Sequence, residues 1–214
     1  MARDNTSCII KEELITTFYP TSKKHWRQWL QKNHKSKMAV WIECYRKSAS
    51  MPTVVWSDAV DEALCFGWID STRKSVDKDK FIQYFCRRKP NSGWSKINKE
   101  KVQRLIDEGR MSRAGLKCIE EAKQNGSWAK LDRIENLEVP EEMKAVFKKD
   151  AKAKAYFTTL SKSMKKIILH WVTLAKRPET RLKRISEFAT LARQNQLPVQ
   201  FRPVTRPVVR TSDK

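Results

Sequence analysis

Residues 62–98 read EALCFGWIDSTRKSVDKDKFIQYFCRRKPNSGWSKIN, and this stretch decides the fold. A helical pattern ends at Gly67, after which two runs of β-favouring residues begin at Trp68 and Phe81. The polar sequence VDKDK separates the two runs, and this arrangement predicts an antiparallel hairpin. Ser95 then predicts the start of a helix. The stretch therefore predicts the junction between a small sheet and a helical remainder.

The sequence outside this stretch adds one further strand and many helices. Residues 38–46 (MAVWIECYR) predict a strand, Ser57 is predicted to cap a helix, and the run from Met164 to Ala175 is strongly helical in period. We predict an α+β fold that is dominated by helices. It has a small antiparallel sheet of about three strands in the N-terminal part and a helical C-terminal part.

The predicted organisation has three parts. Residues 1–136 form an α+β domain, residues 137–194 form a helical module, and residues 195–214 form a basic, proline-containing and flexible tail. We see no internal repeat.

The composition describes a globular and strongly basic chain. Hydrophobic residues make up 40% of the 214 residues, which is enough to build a core. The 45 Lys and Arg against 24 Asp and Glu give a net charge of +21, and residues 131–214 alone carry 19 bases and nine acids. Such an excess favours a polyanionic partner, either nucleic acid or an anionic membrane surface. The alternative is a solvated basic surface that serves only solubility.

Several classes of site are not indicated by the sequence. The five Cys form no CxxC or CxxH pair, so no metal site is predicted, and there is no glycine-rich nucleotide loop. No cofactor is predicted. No apolar run reaches the roughly 20 residues of a membrane helix, and the N-terminus does not resemble a signal peptide. We therefore expect a cytoplasmic protein without a transmembrane segment.

The junction also holds the candidate ligand site. The backbone N–H groups after Ser95 can bind an anion, an arginine can clamp a phosphate or carboxylate, and an indole can stack on a planar group. In the alternative interpretation both Trp side chains pack in the core, Asp70 pairs with an arginine, and Ser95 only caps its helix. The candidate anion- or ligand-binding residues are Trp68, Asp70, Arg87, Arg88, Lys89, Trp94, Ser95 and Lys96.

Catalysis is not indicated at this site. Asp70 is the only acid in its apolar surroundings, and no His or second carboxylate lies at a spacing typical of acid–base catalysis. No catalytic residue is therefore assigned, and a non-enzymatic role is favoured.

A second group of bases lies on the C-terminal helices. These residues either follow a phosphate backbone, which would give nucleic-acid binding, or form a solvated helix face. They are Lys165, Lys166, Lys176, Arg177, Arg181 and Arg184.

The chain resembles the YdeI/OmpD-associated, or bacteriocin-protection, family from about Trp26 to Ile185. The motifs that carry the resemblance are HWRQWLQKNH, AVDEALCFGWIDS, RRKPNSGWSKINKEKVQRLIDEGRMSRAGL and AKRPETRLKRI. The family pattern often has Pro where this chain has Cys86. The resemblance implies a small α/β part followed by a helical module, and it implies no enzyme activity, cofactor or catalytic set.

The sequence thus favours a non-enzymatic, cytoplasmic stress- or bacteriocin-protection protein that binds an anionic partner through basic surfaces. Two alternatives remain open. One is an enzyme or small-ligand-binding protein with an anion pocket near Trp68, Asp70, Arg88 and Trp94. The other is a protein-interaction module that binds a protein partner through its C-terminal helices.

Overall fold

The computed structural model of the chain describes residues 16–202. The chain divides into two compact units, with the division between Leu131 and Asp132. The predicted domain boundary after residue 136 lies a few residues further along the chain. Among the helices of residues 16–202, none has the length and apolar character required to span a membrane.

The N-terminal unit contains a four-stranded sheet with the strand order β1-β2-β4-β3. Its strands are β1 (Thr17–Phe18), β2 (Ala39–Tyr45), β3 (Trp68–Ser75) and β4 (Lys80–Arg87). The predicted hairpin is β3–β4, and β2 pairs antiparallel with β4. The helix-dominated α+β class is confirmed. The expectation of about three strands missed β1, a parallel neighbour of β2 that is too short to show an alternating pattern.

In the described part of this unit, four α-helices accompany the sheet: α1 (Lys23–Asn33), α2 (Trp56–Cys65), α3 (Lys96–Asp107) and α4 (Arg113–Gln124). Ser22, Ser95 and Ser112 cap α1, α3 and α4, because each hydroxyl accepts a hydrogen bond from the backbone N–H three residues later. The prediction that Ser57 caps α2 was wrong. This helix begins at Trp56, two residues earlier than a cap at Ser57 would place it, and has no side-chain cap.

The core of the unit lies on one face of the sheet. Val40 and Phe85 are opposite each other on β2 and β4, and both are fully buried. Trp26 of α1 packs against Phe85 with 5.4 Å between ring centroids, and its indole N–H donates to the carbonyl of Ala59 in α2 at 3.0 Å. Because the buried indole keeps a hydrogen bond, its large apolar surface is buried without an unpaired donor.

Two adjacent carboxylates of α2 are buried against bases from neighbouring segments. Asp61 and Glu62 are only 3% and 2% exposed. Asp61 binds Lys101 at 2.5 Å and also binds Arg104 of the same helix, α3. Burial alone would raise the pKa of Asp61, but the hydrogen bonds from these two bases outweigh burial and hold its pKa below the ordinary value.

Glu62 connects α2 to two further segments. It binds Arg27 of α1 at 2.6 Å and Arg110, which precedes α4, at 2.5 Å. Arg27 also donates to the backbone carbonyl of Arg110 at 2.8 Å. These ion pairs fix α1 and the start of α4 relative to the end of α2.

The C-terminal unit is helical. Its elements are α5 (Asp132–Glu135), α6 (Glu141–Lys149), α7 (Ala151–Thr159), α8 (Lys162–Thr173), α9 (Pro178–Ala192) and a 3-10 turn at Val199–Phe201. Three rings form the centre of its core, with 5.4 Å between the centroids of Phe147 and Phe157 and 5.9 Å between those of Phe157 and Phe188. Asp150 caps α7 and binds Arg193, the residue after α9, at 2.6 Å.

Only the beginning of the predicted tail falls within the described residues. The ring of Phe201 packs edge-on against Trp171 of α8, with 5.5 Å between centroids. Residues 203–214 lie outside the described part of the chain.

The close approach of α4 to the end of α2 makes a testable prediction about Gly115. A methyl group at this position would clash with the carbonyl oxygen of Cys65. Replacing Gly with Ala inside a helix ordinarily stabilises by up to about 1 kcal/mol. We expect Gly115→Ala instead to lower the free energy of unfolding by about 2 kcal/mol, because the helix must move away. Urea denaturation followed by circular dichroism measures the change.

Gly109→Ala is the matched control for this substitution. Gly109 has a φ of +64° and no neighbouring heavy atom within 4 Å of the position of the added methyl group. Its substitution should cost only the backbone strain of about 1 kcal/mol. An increase in stability on Gly115→Ala would contradict the close approach.

The buried Asp61 makes a second prediction, on the pH dependence of stability. Its folded-state pKa lies below the ordinary 3.8, so its stabilising contribution is complete at neutral pH and is lost as the pH falls through that folded-state pKa. Asp61→Asn should lower the free energy of unfolding at pH 7 by about 2 kcal/mol, because two charge-assisted hydrogen bonds are lost. The difference from the wild type should narrow below pH 4.

Asp58→Asn provides the comparison for Asp61. Asp58 is 43% exposed and lies 3.6 Å from Lys23, so its loss should change stability by less than about 0.5 kcal/mol. Denaturation curves at pH 7 and pH 3 separate the two variants. Equal losses at both aspartates would show that burial of the ion pairs contributes nothing.

Candidate functional site

The predicted site residues lie at one end of the β3–β4 hairpin and in the turn that follows it. Trp68, the first residue of β3, is opposite Arg87, the last residue of β4. The backbone N–H of Arg88 donates to the carbonyl of Gly67 at 2.9 Å, which continues the ladder by one residue. The hairpin therefore brings Trp68, Arg87 and Arg88 together.

These three residues line a cleft with a volume of about 310 Å³. The opposite walls come from the end of α1 and from one face of α4. Four Lys or Arg side chains and one His face a single acid in this lining, so the cleft is basic. The polar and charged lining residues are His34, Lys35, Arg87, Arg88, Lys117 and Glu121, and they are joined by Trp68, Phe66 and Cys118. We call this space the Arg88 cleft.

Arg88 is the most unusual group in the cleft. Its guanidinium lies 3.7 Å above the ring of Trp94 and donates to the carbonyl of Gly93. No carboxylate among residues 16–202 forms an ion pair with it, and its Nε–H is buried without an acceptor. Burial lowers the pKa of Arg88 to about 10, so the side chain still carries its charge at neutral pH.

A second residue that lines the cleft also has a buried donor without an acceptor. Trp68 is 1% exposed, and its indole N–H has no hydrogen-bond partner. Buried donors are almost always paired, and an unpaired donor costs about 1–3 kcal/mol. Two unpaired donors beside an unneutralised cation make this wall of the cleft suited to an oxyanion, which accepts hydrogen bonds and carries negative charge.

Arg87 shapes the cleft by holding a loop. Its guanidinium donates to the carbonyls of Lys35 and Lys37, which follow α1, and the bond to Lys37 is 2.9 Å long. His34 in the same segment lies 2.8 Å from the carbonyl of Leu30 through Nδ1. Because a carbonyl oxygen can only accept a hydrogen bond, Nδ1 of His34 carries a proton and donates it. This hydrogen bond does not use Nε2.

The other predicted residues do not line the cleft. Asp70 accepts from the indole of Trp56 at 3.0 Å and does not pair with an arginine, which differs from the packing alternative. Trp94 is fully buried behind Arg88. Ser95 accepts from the N–H of Asn98 at 3.3 Å and thereby caps α3. Lys89 and Lys96 are exposed.

The sequence reasoning missed the wall that α4 contributes. Ala114, Lys117, Cys118 and Glu121 share the i, i+3, i+4, i+7 spacing of one helix face, so their proximity to each other was readable. The position of this helix face opposite Arg88 could not be predicted from the sequence. Burial raises the pKa of Cys118, although Arg88 partly opposes this, so its thiol is protonated at neutral pH.

The predicted nucleic-acid-binding bases of the C-terminal unit are mostly engaged. Lys166 binds Glu135 at 2.6 Å, and Arg181 binds Glu142 at 3.0 Å. Arg184 donates to the carbonyl of Trp171, and Lys165 donates to that of Thr158. Lys176 and Arg177 are exposed and have no side-chain partner in the described part of the chain.

The predicted interaction helix is α8. Ile168, Leu169 and Val172 are fully buried on its inner face, while Ile167 is 43% exposed. Most of its apolar surface is therefore covered within the unit. Across residues 16–202, His, Cys, Asp and Glu side chains form no group of three or more that could hold a metal ion.

Comparison with known protein families finds a separate match in each of the two parts of the chain. Residues 18–118 match a domain of unknown function, DUF8412. Residues 136–195 match the family described as bacteriocin-protection, YdeI or OmpD-associated. No curated protein and no solved structure matched the chain. The family resemblance read from the sequence is therefore confirmed for residues 136–195.

Proposed function

We propose that this chain is a non-enzymatic, cytoplasmic protection protein that acts by binding an anionic partner, and that the Arg88 cleft holds the anionic group. The observation that carries the proposal is the state of Arg88. It is a largely buried cation that forms no ion pair with a carboxylate among the described residues, and its Nε–H has no acceptor there. The family match of residues 136–195 supports the protective role.

The chemistry of the lining favours an oxyanion. Arg88 and Trp68 supply N–H donors, while Lys35 and Lys117 add positive charge at the edge of the cleft. An arginine edge can bind a phosphate or carboxylate with two parallel hydrogen bonds. A bound oxyanion would therefore neutralise the buried cation and pair the free donors at once.

The size of the cleft limits what can enter. A volume of about 310 Å³ is at the lower end of small-ligand sites. It accommodates one phosphate or carboxylate group with a few attached atoms. We therefore expect the partner to insert a single anionic group, such as a terminal phosphate or a carboxylate.

Replacement of Arg88 tests this function. Calorimetric titration with inorganic pyrophosphate at low salt should show at least about tenfold weaker binding to Arg88→Gln than to the wild type, because a charge-assisted hydrogen bond is lost. Arg88→Lys should bind with intermediate affinity, since it keeps the charge and loses the planar fork.

Arg113→Gln is the matched control for the titration. Arg113 is an exposed residue at the start of α4 and does not line the cleft. Its affinity should stay within about twofold of the wild type, because exposed charges contribute little. Thermal unfolding of each variant confirms that it is folded. Equal affinities of a folded Arg88→Gln variant and the wild type would overturn the assignment.

A further inference from the structure

A groove on the C-terminal unit has a chemistry that differs from the Arg88 cleft. It has a volume of about 610 Å³ and lies between the end of α6 and the outer face of α7. Phe147, which is 8% exposed, closes one side, and Ala151 and Ala155 are exposed along α7. The small side chains leave the backbone of α7 open to close approach by another chain.

The threonines of the groove offer no free hydroxyl donor. Thr158 and Thr159 both line it, but their hydroxyls donate to the backbone carbonyls of Lys154 and Tyr156, at 2.9 and 2.7 Å. The protons of both hydroxyls are therefore used within the helix. A phosphate backbone would find no hydroxyl donor on this surface, whereas apolar side chains can pack against it.

Lysines surround the groove without acidic partners. Lys148 and Lys154 line it, and Lys149 and Lys152 are exposed on the same two helices. None of the four ammonium groups has a hydrogen-bond or ion-pair partner among residues 16–202.

The acids of α6 and of its junction with α7 are already paired. Glu141 binds Lys144, Glu142 binds Arg181, and the buried Asp150 binds Arg193. These three acids therefore do not pair with the four lysines around the groove.

We infer that this groove docks an acidic amphipathic helix of a protein partner. Apolar side chains on one face of that helix would pack between Phe147 and the two alanines. Asp or Glu side chains beside that face would pair with Lys148 and Lys154. This is the recognition mode in which an amphipathic helix lies in an apolar groove. The groove belongs to the C-terminal unit and the Arg88 cleft to the N-terminal unit, so the inference is independent of that cleft.

The lining favours a peptide over a nucleic acid. Single-stranded nucleic acid is bound by stacking on exposed aromatic rings as well as by charge. The aromatic ring that lines this groove, Phe147, is buried. Lysine charge without stacking surfaces or free hydroxyl donors suits carboxylates on a helix that also supplies apolar contacts.

A designed peptide tests the inference with the full chain. The probe is a fluorescein-labelled 18-residue peptide of about five turns, with Leu at i, i+3, i+4 and i+7 positions and Glu on its other face. A scrambled peptide of the same composition is the matched control. Fluorescence anisotropy should show at least about tenfold weaker binding of the scrambled peptide. Equal binding of the two peptides would overturn the inference, because charge alone would then explain it.

Variants of the groove locate the binding site. Ala155→Gln fills the groove at an exposed helical position, and Lys154→Glu reverses one charge at its edge. Each should weaken binding of the amphipathic peptide by about fivefold or more. Lys183→Glu, an exposed charge reversal on α9, should bind the peptide within about twofold of the wild-type affinity.

Helix docking is excluded if Ala155→Gln binds the peptide as tightly as the wild type does. It is also excluded if single-stranded RNA or anionic vesicles bind instead of the peptide and only Lys154→Glu weakens that binding. The Arg88→Gln variant should bind the peptide normally, so this test and the pyrophosphate titration fail independently.

Discussion

The N-terminal unit depends on the neutralisation of two adjacent carboxylates at the end of α2. Burying Asp61 and Glu62 without partners would cost several kcal/mol for each. Five bases remove this cost, and they come from α1, α3 and the segment before α4. The ion pairs therefore position three helices around one. The carbonyl of Cys65, the last residue of α2, accepts hydrogen bonds from both the backbone N–H and the hydroxyl of Ser112. These two bonds fix the position at which α4 starts. The wall of the Arg88 cleft follows from that start.

Another buried charge of the same unit, the guanidinium of Arg88, has the opposite kind of environment. Asp61 is bound by two bases and Glu62 by three, whereas Arg88 is stacked on Trp94 and forms no ion pair with an acid in the described part of the chain. Stacking on an indole compensates part of the lost hydration of a guanidinium, but it does not supply an acceptor for Nε–H. A fold that merely needed charge balance could place a carboxylate there, as it does around α2. The contrast within one unit is what distinguishes a structural ion pair from a site arranged for an external anion.

The two units present positive charge in different chemical settings. In the Arg88 cleft the charge is partly buried and is accompanied by N–H donors, a combination that suits one oxyanion in a confined space. Around the groove of α6 and α7 the lysines are exposed, while the surface between them carries small or apolar side chains. Net charge alone cannot separate these cases. A charge of +21 predicts an acidic partner of some kind, and only the neighbours of each base indicate which kind.

The sequence by itself determined the fold class and most of the elements, because these depend on contacts within a few residues. Hydrophobic periodicity located the helices, alternation located β2 and the β3–β4 hairpin, and a serine cap satisfies N–H groups only three residues away. It also brought Trp68, Arg87 and Arg88 together, since a hairpin aligns its ends. It did not reveal β1, whose two residues show no pattern, or the partner of Asp70. Only the tertiary structure decided the ion pairs of Glu62 and the far wall of the cleft. Glu62 pairs with bases 35 and 48 residues away. Helix packing brings such groups together, and the local sequence pattern does not predict how the helices pack.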